Sequence, residues 1–370
     1  MLGLHAPVSA AVNLFDATVR GGLADKRRIP SALIDEGPQR RVHRYLALGR
    51  GHRRAAAPPV LLVPPLAAPA ICFDLRRGCS LAEHLLQRGR ETYLVDYGRV
   101  RFGDRSLGLE HWIEDVVPNA VRAASEDAGG RPVQLVGWCL GGIFSLLAQC
   151  SYPALPVAST ALIASPFDFT RVPLVAPLRP IAAVTQGQIV TQLYRALGGA
   201  PAPLVKRGYQ LAGLDKYVMK PWTIVSHLHD RELLAQIEAV DAFMDSMQAY
   251  PGRTFGQLYH RFFRSNDLAG GQLALSDRTL DLADVRVPVP VLSIAGRGDG
   301  IAPVAACHHV GELLTGARSV QLETAPGGHL GVLTGRAARG TTWVLLDRFL
   351  AAHEALPGSA RRRTRRARVA

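Results

Sequence analysis

Cysteine is scarce in this 370-residue chain. The five thiols, Cys72, Cys79, Cys139, Cys150 and Cys307, are odd in number and scattered, and no two form a CxxC pair. That pattern argues against a disulfide framework and a zinc ribbon, and it fits a reducing, cytoplasmic setting. Lysine is scarcer still, at four of 43 basic residues. Such an arginine-, alanine- and glycine-rich composition reflects a GC-rich genome more than nucleic-acid recognition. No DNA- or RNA-binding motif is present, so no specific nucleic-acid partner is expected. The opening MLGLHAPVSAAVNLFDATVR lacks a basic region ahead of an apolar core, and no signal peptide is expected. The longest uncharged interval, Pro132 to Phe167, is interrupted by Gly, Gln, Ser and Pro. It reads as buried strand, helix and strand, not as a transmembrane span. Internal repeats are absent as well.

What the chain does have is apolar content, 48% of its residues, enough for one large α/β domain with an insertion or for two domains. The formal charge is +13, and six of those charges are arginines of the last ten residues. The rest carries about +7, a basic bias that suits anionic substrates such as coenzyme A esters.

Short apolar runs recur at Val60–Val63, Thr92–Val95, Gln134–Val136, Ala161–Ala164, Val291–Ala295 and Ser319–Leu322, separated by segments with helical spacing such as LEHWIEDVVPNAVRAASED and Leu81–Gln87. Alternating strands and helices predict a mostly parallel sheet covered on both faces. The alternation breaks between about Phe167 and Asp284, where prolines cluster and a helix is expected over Asp230–Ala249. The expected layout is therefore a first core part over 1–166, an inserted cap over 167–284, a second core part over 285–356 ending in a helix from about Gly340, and a basic tail over 357–370.

The stretch VGWCLGG, residues 136–142, places Cys139 between Gly137 and Gly141, after an apolar run and before another. Strand, Gly-x-Cys-x-Gly, helix is the pattern of a nucleophile elbow, the sharp turn that lifts a reactive side chain above an α/β-hydrolase sheet. It also presents the backbone N–H of Leu140 as half of an oxyanion hole. The competing reading of the same residues is a buried structural cysteine in a tight glycine turn. Two later loops favour catalysis. VLSIAGRGDGIAP supplies Asp299 and LETAPGGHLGVL supplies His329, each just after an expected strand and in the chain order nucleophile, acid, base. His329 would take the thiol proton, and Asp299 would orient the imidazole and stabilise its charged form.

Sulfur narrows the substrate. A thiolate attacking an oxygen ester is itself the better leaving group and tends to be expelled, whereas exchange with a thioester is nearly thermoneutral. Cys139 therefore favours acyl transfer from thioesters over plain ester hydrolysis.

These residues resemble polyhydroxyalkanoate synthases, most closely the shorter class III type, from about Pro59 to Leu350. The similar segments are VLLVPPLAAPAICFDLRRGCSLAEHLLQRG, YLVDYGRVRFGDRSLGLEHWIED, LVGWCLGG, AYPGRTFGQLYHRFFRSNDLAGG, PVPVLSIAGRGDGIAP and GGHLGVLTG. The resemblance implies a capped α/β-hydrolase fold that moves 3-hydroxyacyl groups from coenzyme A to a growing polyester on Cys139, with Asp299 as acid and His329 as base. It implies acyl-CoA as substrate, no bound cofactor or metal, a homodimer or a partner subunit, and a cytoplasmic or granule-associated location. Two positions depart from the family. Gly300 stands where a histidine usually follows the acid, and Leu66-Ala67-Ala68-Pro69-Ala70 replaces a segment that usually carries Asn. The second oxyanion donor is placed at the backbone N–H of Leu66 or Ala67. Two other readings stay open: a thioesterase or dienelactone-like hydrolase on the same triad, and a non-catalytic member that binds acyl ligands or a partner.

Other features read as ordinary structure. His227 and His229 lack a third metal ligand and read as solvated or capping histidines, and His308 and His309 read as helix surface in preference to coenzyme A contacts. The cap aromatics Tyr194, Tyr209, Trp222, Phe243, Phe262 and Phe263 suggest an apolar lid or simple packing. The arginine tail is read as a solvated end.

Overall fold

The computed structural model describes residues 5–46, 57–173, 188–212, 214–283 and 289–354. The basic tail expected over 357–370 lies outside them. The core is one eight-stranded sheet in the order β1-β2-β4-β3-β5-β6-β11-β12. Its strands are β1 (Ser31–Gly37), β2 (Arg40–Tyr45), β3 (Val60–Val63), β4 (Thr92–Asp96), β5 (Val133–Trp138), β6 (Val157–Ile163), β11 (Pro290–Gly296) and β12 (Ser319–Ala325). β1, β2 and β4 pair antiparallel, and every later pairing is parallel.

The sequence dictates this layering. β3, β5 and β11 are buried at every position, as parallel strands covered on both faces must be, and they are the apolar runs. β1 alternates exposed and half-buried residues at the sheet edge. The hairpin β1–β2 was not among the expected strands. RRVHRY and SALIDEG are dominated by charged and small residues, so no apolar period marks them. They are held as strands partly by arginine–carboxylate pairs, Arg40 with Asp35 and Asp115, and Arg41 with Asp96.

Helices α1 (His5–Val19), α2 (Leu81–Gln87), α3 (Val117–Asp127) and α4 (Leu140–Ser151) occur in the first part of the chain. LEHWIEDVVPNAVRAASED is helical as expected, but its first half, His111–Val116, is wound as a π-helix before α3 begins. Strand order, parallel sense and helix placement are those of the α/β-hydrolase fold.

Between β6 and β11 the chain leaves the sheet. It forms α5 (Gln188–Leu197), α6 (Ala202–Ala212), α7 (Leu214–Ser226) and α8 (Arg231–Asp245), the short pair β7 (Gly199–Ala200) and β8 (Tyr250–Pro251), and a second hairpin of β9 (Gln272–Ala274) and β10 (Thr279–Asp281). The segment is pinned to the core by buried polar contacts. Trp112 Nε1 donates to Thr254 Oγ1 at 3.0 Å, and that hydroxyl donates to the Leu107 carbonyl at 2.7 Å. The Gln248 N–H donates to the Ala67 carbonyl at 2.8 Å. α1 also attaches to this inserted segment. Asn13 donates to the Leu228 carbonyl, and Arg231 binds Asp16 at 2.6 Å. Glu238 of α8 accepts the N–H groups of Leu23 and Ala24. The expected helix over 230–249 is α8, capped by Asp230 accepting from the Leu233 N–H, and the last helix runs Thr342–Ala352.

No helix among the described residues is long and apolar enough to cross a membrane.

Candidate active site

β5 ends at Trp138 and α4 begins at Leu140, so the whole turn between them is Cys139. Its backbone is at φ 53°, ψ −122°, a conformation that a non-glycine residue adopts only when its surroundings impose it. Those surroundings have no room to spare. A Cβ on Gly137 would lie 2.4 Å from Gly142 Cα, and one on Gly141 would lie 2.1 Å from the Val63 carbonyl oxygen. The Cys139 N–H is tied to the Ile163 carbonyl at 2.9 Å. Adjacent strands thus fix the bend, and α4 starts with Leu140, whose N–H has no helix carbonyl available to it.

Asp299 and His329 come from the loops after β11 and β12. His329 Nδ1 lies 2.8 Å from Asp299 Oδ2, and both side chains are buried. The other carboxylate oxygen, Oδ1, accepts the N–H groups of Ile301 and Ala302, each at 2.8 Å. Asp299 is therefore oriented without help from the residue at position 300. The Gly300 departure leaves the acid fully held, because two backbone donors do the holding. Trp138 braces the imidazole. Its Nε1 donates to the His329 carbonyl at 3.2 Å, and the two rings lie 5.1 Å apart.

His329 Nε2 is buried and has no hydrogen bond of normal geometry. Burial alone would push this histidine toward the neutral form. The Asp299 carboxylate and the Cys139 sulfur outweigh that effect and raise its pKa to about 10. The raised value has a definite sign. The protonated imidazole contributes stability in full below the ordinary histidine pKa of about 6.5, and the contribution is lost as pH rises through about 10. Nitrogen-15 NMR should find the His329 ring doubly protonated at pH 8, and Asp299→Asn should move its titration down by more than one pH unit. A neutral ring at pH 8 in the unaltered protein would contradict this electrostatic picture.

Leu66 and Ala67 follow β3, beside the elbow. Ala67 has a positive φ of 65°. No hydrogen bond among the described residues uses the N–H of Leu66 or Ala67. The loop is held from outside through carbonyls, Tyr97 Oη donating to Pro64 O at 2.9 Å and Gln248 N–H to Ala67 O.

Over His329 lies a cavity of about 320 Å³, walled by Trp138, Tyr209, Val240, Phe243, Met244 and Met247. The apolar side of that wall is supplied by α8 and the turn after it, with Tyr209 from α6, and the opposite side by the loops that carry Asp299 and His329. Tyr209 and Tyr250 are the residues of this site that sequence reasoning missed. The sequence marks Tyr209 only as a cap aromatic and Tyr250 only as part of the segment AYPGRTFGQLYHRFFRSNDLAGG, with no role for its hydroxyl. Burial raises both phenols far above their ordinary pKa, with the nearby Cys139 sulfur contributing in each case. Both hydroxyls thus stay neutral, and the two phenols hydrogen-bond to each other. A tyrosine in an inserted segment carries no positional signal; only folding of that segment over the sheet brings it here.

Among the described residues no group of three or more His, Cys, Asp or Glu side chains could hold a metal ion. His227 and His229 stack on each other at 6.3 Å, with His227 Nδ1 3.0 Å from the Thr223 carbonyl. His308 and His309 are partly buried, each with its Nε2 at a backbone carbonyl, of Glu323 and Ala269 respectively.

No family model matches the chain. It is similar to the protein named poly(3-hydroxyalkanoate) polymerase subunit PhaC of Allochromatium vinosum, 26% identical over 352 residues that cover 91% of this chain and 95% of that one. The protein of the same name from Synechocystis sp. is 26% identical over 289 residues, covering 76% and 74%. That from Haloferax mediterranei is 23% identical over 294 residues, covering 79% and 58%. Among solved structures, a thermophilic esterase from Thermogutta terrifontis superimposes with a TM-score of 0.49 at 12% identity, covering 89% of this chain and 100% of that one. The chain thus resembles the polyhydroxyalkanoate synthases over most of its length.

Proposed function

We propose that this protein is a cysteine acyltransferase that takes 3-hydroxyacyl groups from coenzyme A thioesters and passes them to the hydroxyl end of a polyester, with Cys139, His329 and Asp299 as its triad. The observation that carries the proposal is the buried Asp299–His329 pair beside a cysteine held at positive φ on the elbow. The likeness to proteins named poly(3-hydroxyalkanoate) polymerase supports a 3-hydroxyacyl substrate.

In the proposed cycle the Cys139 thiolate adds to the thioester carbonyl. The oxyanion that forms is met by the N–H of Leu140 and by that of Leu66 or Ala67. Collapse breaks the carbon–sulfur bond to coenzyme A, and the proton on His329 Nε2 leaves with that thiolate. The acyl group is now a thioester of Cys139, and the imidazole is neutral. An incoming hydroxyl gives its proton to Nε2 while its oxygen adds to the acyl carbon. Expulsion of the Cys139 thiolate completes the oxoester and restores the starting ion pair. Asp299 keeps Nδ1–H pointed at itself throughout, so that Nε2 is the nitrogen that exchanges protons. The apolar wall of Phe243, Met244 and Met247 limits water at the acyl-enzyme, which favours transfer over hydrolysis. The word subunit in the relatives' names supports a second copy or a partner chain as its associate, and a cytoplasmic or granule-surface location follows from the same reading.

Incubation with 3-hydroxybutyryl-CoA tests the proposal. Thiol release should accompany an acyl adduct on Cys139 in mass spectrometry and an ester-linked oligomer as product. Free 3-hydroxy acid in place of oligomer would select the thioesterase reading. Neither thiol release nor adduct would leave the non-catalytic one.

A further inference from the structure

A second cleft, of about 630 Å³, opens between α5 and the helical stretch that follows β8, and none of its lining residues belongs to the triad. Its chemistry is one-sided. Five arginines, Arg105, Arg195, Arg253, Arg261 and Arg264, line it together with His260, and no carboxylate does. Two of the five are partly neutralised from outside, Arg253 by Glu110 at 2.9 Å and Arg261 by Asp267 at 3.5 Å. Arg105, Arg195 and Arg264 have no ion pair among the described residues. Arg105 lies over the Phe102 ring at 4.8 Å and donates to that residue's carbonyl. His260 reports the field this creates. Burial and then repulsion from Arg264, Arg195 and Arg261 lower its pKa, and its Nε2 sits 3.0 Å from Thr191 Oγ1.

Like charges gathered in a concavity repel one another and cost stability unless an anion joins them. The cleft is also connected to the candidate active site. Tyr250 of β8 is close enough to Cys139 for the sulfur to shift its pKa, and two residues later Gly252 lines the cleft. The rings of Tyr250, Phe255 and Tyr194 run between the two places at 6.0 and 5.8 Å spacing.

We propose that this arginine cleft binds phosphate groups, of the diphosphate and phosphomonoester kind carried by the nucleotide portion of a coenzyme A thioester. Planar guanidinium groups converging from several directions match phosphate oxygens better than they match a single carboxylate. Assigning those phosphates to the substrate rests on the thioester reading above; phosphate binding as such does not. Held there, the nucleotide would leave its pantetheine arm to run past Tyr250 toward Cys139.

The test uses the full chain and the double variant Arg195→Ala/Arg264→Ala, whose side chains are exposed and lie outside the triad. Two thioesters of the same acyl group are compared, 3-hydroxybutyryl-CoA and 3-hydroxybutyryl-N-acetylcysteamine, the second of which has no phosphate. In parallel, inorganic diphosphate is titrated calorimetrically into both proteins. The expected result is a KM for the coenzyme A ester raised about 10-fold or more with kcat little changed, no change for the phosphate-free ester, and loss of diphosphate binding. Loss of diphosphate binding with both KM values unchanged would support the phosphate site but assign it to a free phosphate compound. Equal diphosphate binding by the two proteins, or none by either, together with unchanged KM values, would overturn the proposal. Should the unaltered protein turn over neither ester, the triad reading fails, and the diphosphate titration by itself decides the cleft.

Discussion

Replacing Cys139 with alanine should abolish the acyl adduct and lower kcat/KM for 3-hydroxyacyl-CoA by roughly 10⁴-fold or more, the scale of nucleophile loss in enzymes that form covalent intermediates. The sulfur is the only nucleophile the elbow presents. The strain at φ 53° is borne by a backbone that the Ile163 carbonyl and the neighbouring glycines hold in place, and alanine meets the same strain that cysteine does. Fold and melting temperature should therefore change little, which separates lost chemistry from lost structure. Cys139→Ser is the sharper companion. It keeps the shape of the side chain, but its acyl-enzyme would be an oxygen ester, without the free energy that a thioester retains for acylating a hydroxyl. Thiol release by Cys139→Ala within tenfold of the unaltered protein would remove Cys139 from the reaction.

Asp299→Asn should lower kcat by about 10³–10⁴-fold, again with little effect on melting. The asparagine carbonyl can keep the N–H groups of Ile301 and Ala302, at the position where Oδ1 now accepts them at 2.8 Å. Its amide NH₂ then faces His329 Nδ1, where a carboxylate oxygen stands in the unaltered protein. A donor there favours the tautomer with its proton on Nε2, so the imidazole can no longer take a proton from the thiol or the incoming hydroxyl. Loss of the negative charge also removes the principal attraction that keeps the buried ring protonated. Steady-state thiol release measures the effect. Activity within a few fold of normal would mean that another group orients His329.

Much of this architecture could be read before folding. The central strands announce themselves because a parallel strand covered on both faces must be apolar along its length, and β3, β5 and β11 are. Cys139 was legible because an elbow needs small neighbours at fixed offsets, and Asp299 and His329 because they follow apolar runs in the right order. The β1–β2 hairpin was not legible. Its stability comes from cross-strand pairing and from arginine–carboxylate contacts with distant residues such as Asp96 and Asp115, which leave no local period.

The sequence by itself determined the parallel strands of the sheet and pointed to Cys139, Asp299 and His329 in the turns and loops that follow them, because local patterning and chain order mark both. Only the tertiary structure decided how those side chains are tuned and what surrounds them. The pKa of His329 depends on burial set against the Asp299 carboxylate and the Cys139 sulfur, and the hold on Asp299 depends on backbone donors at 301 and 302. Tyr209, Tyr250 and four of the five cleft arginines come from a segment inserted between β6 and β11, and Arg105 comes from the stretch after β4; these residues meet the site, and one another, only by long-range packing. That packing obeys no spacing rule along the chain, so their roles could not be read from order alone.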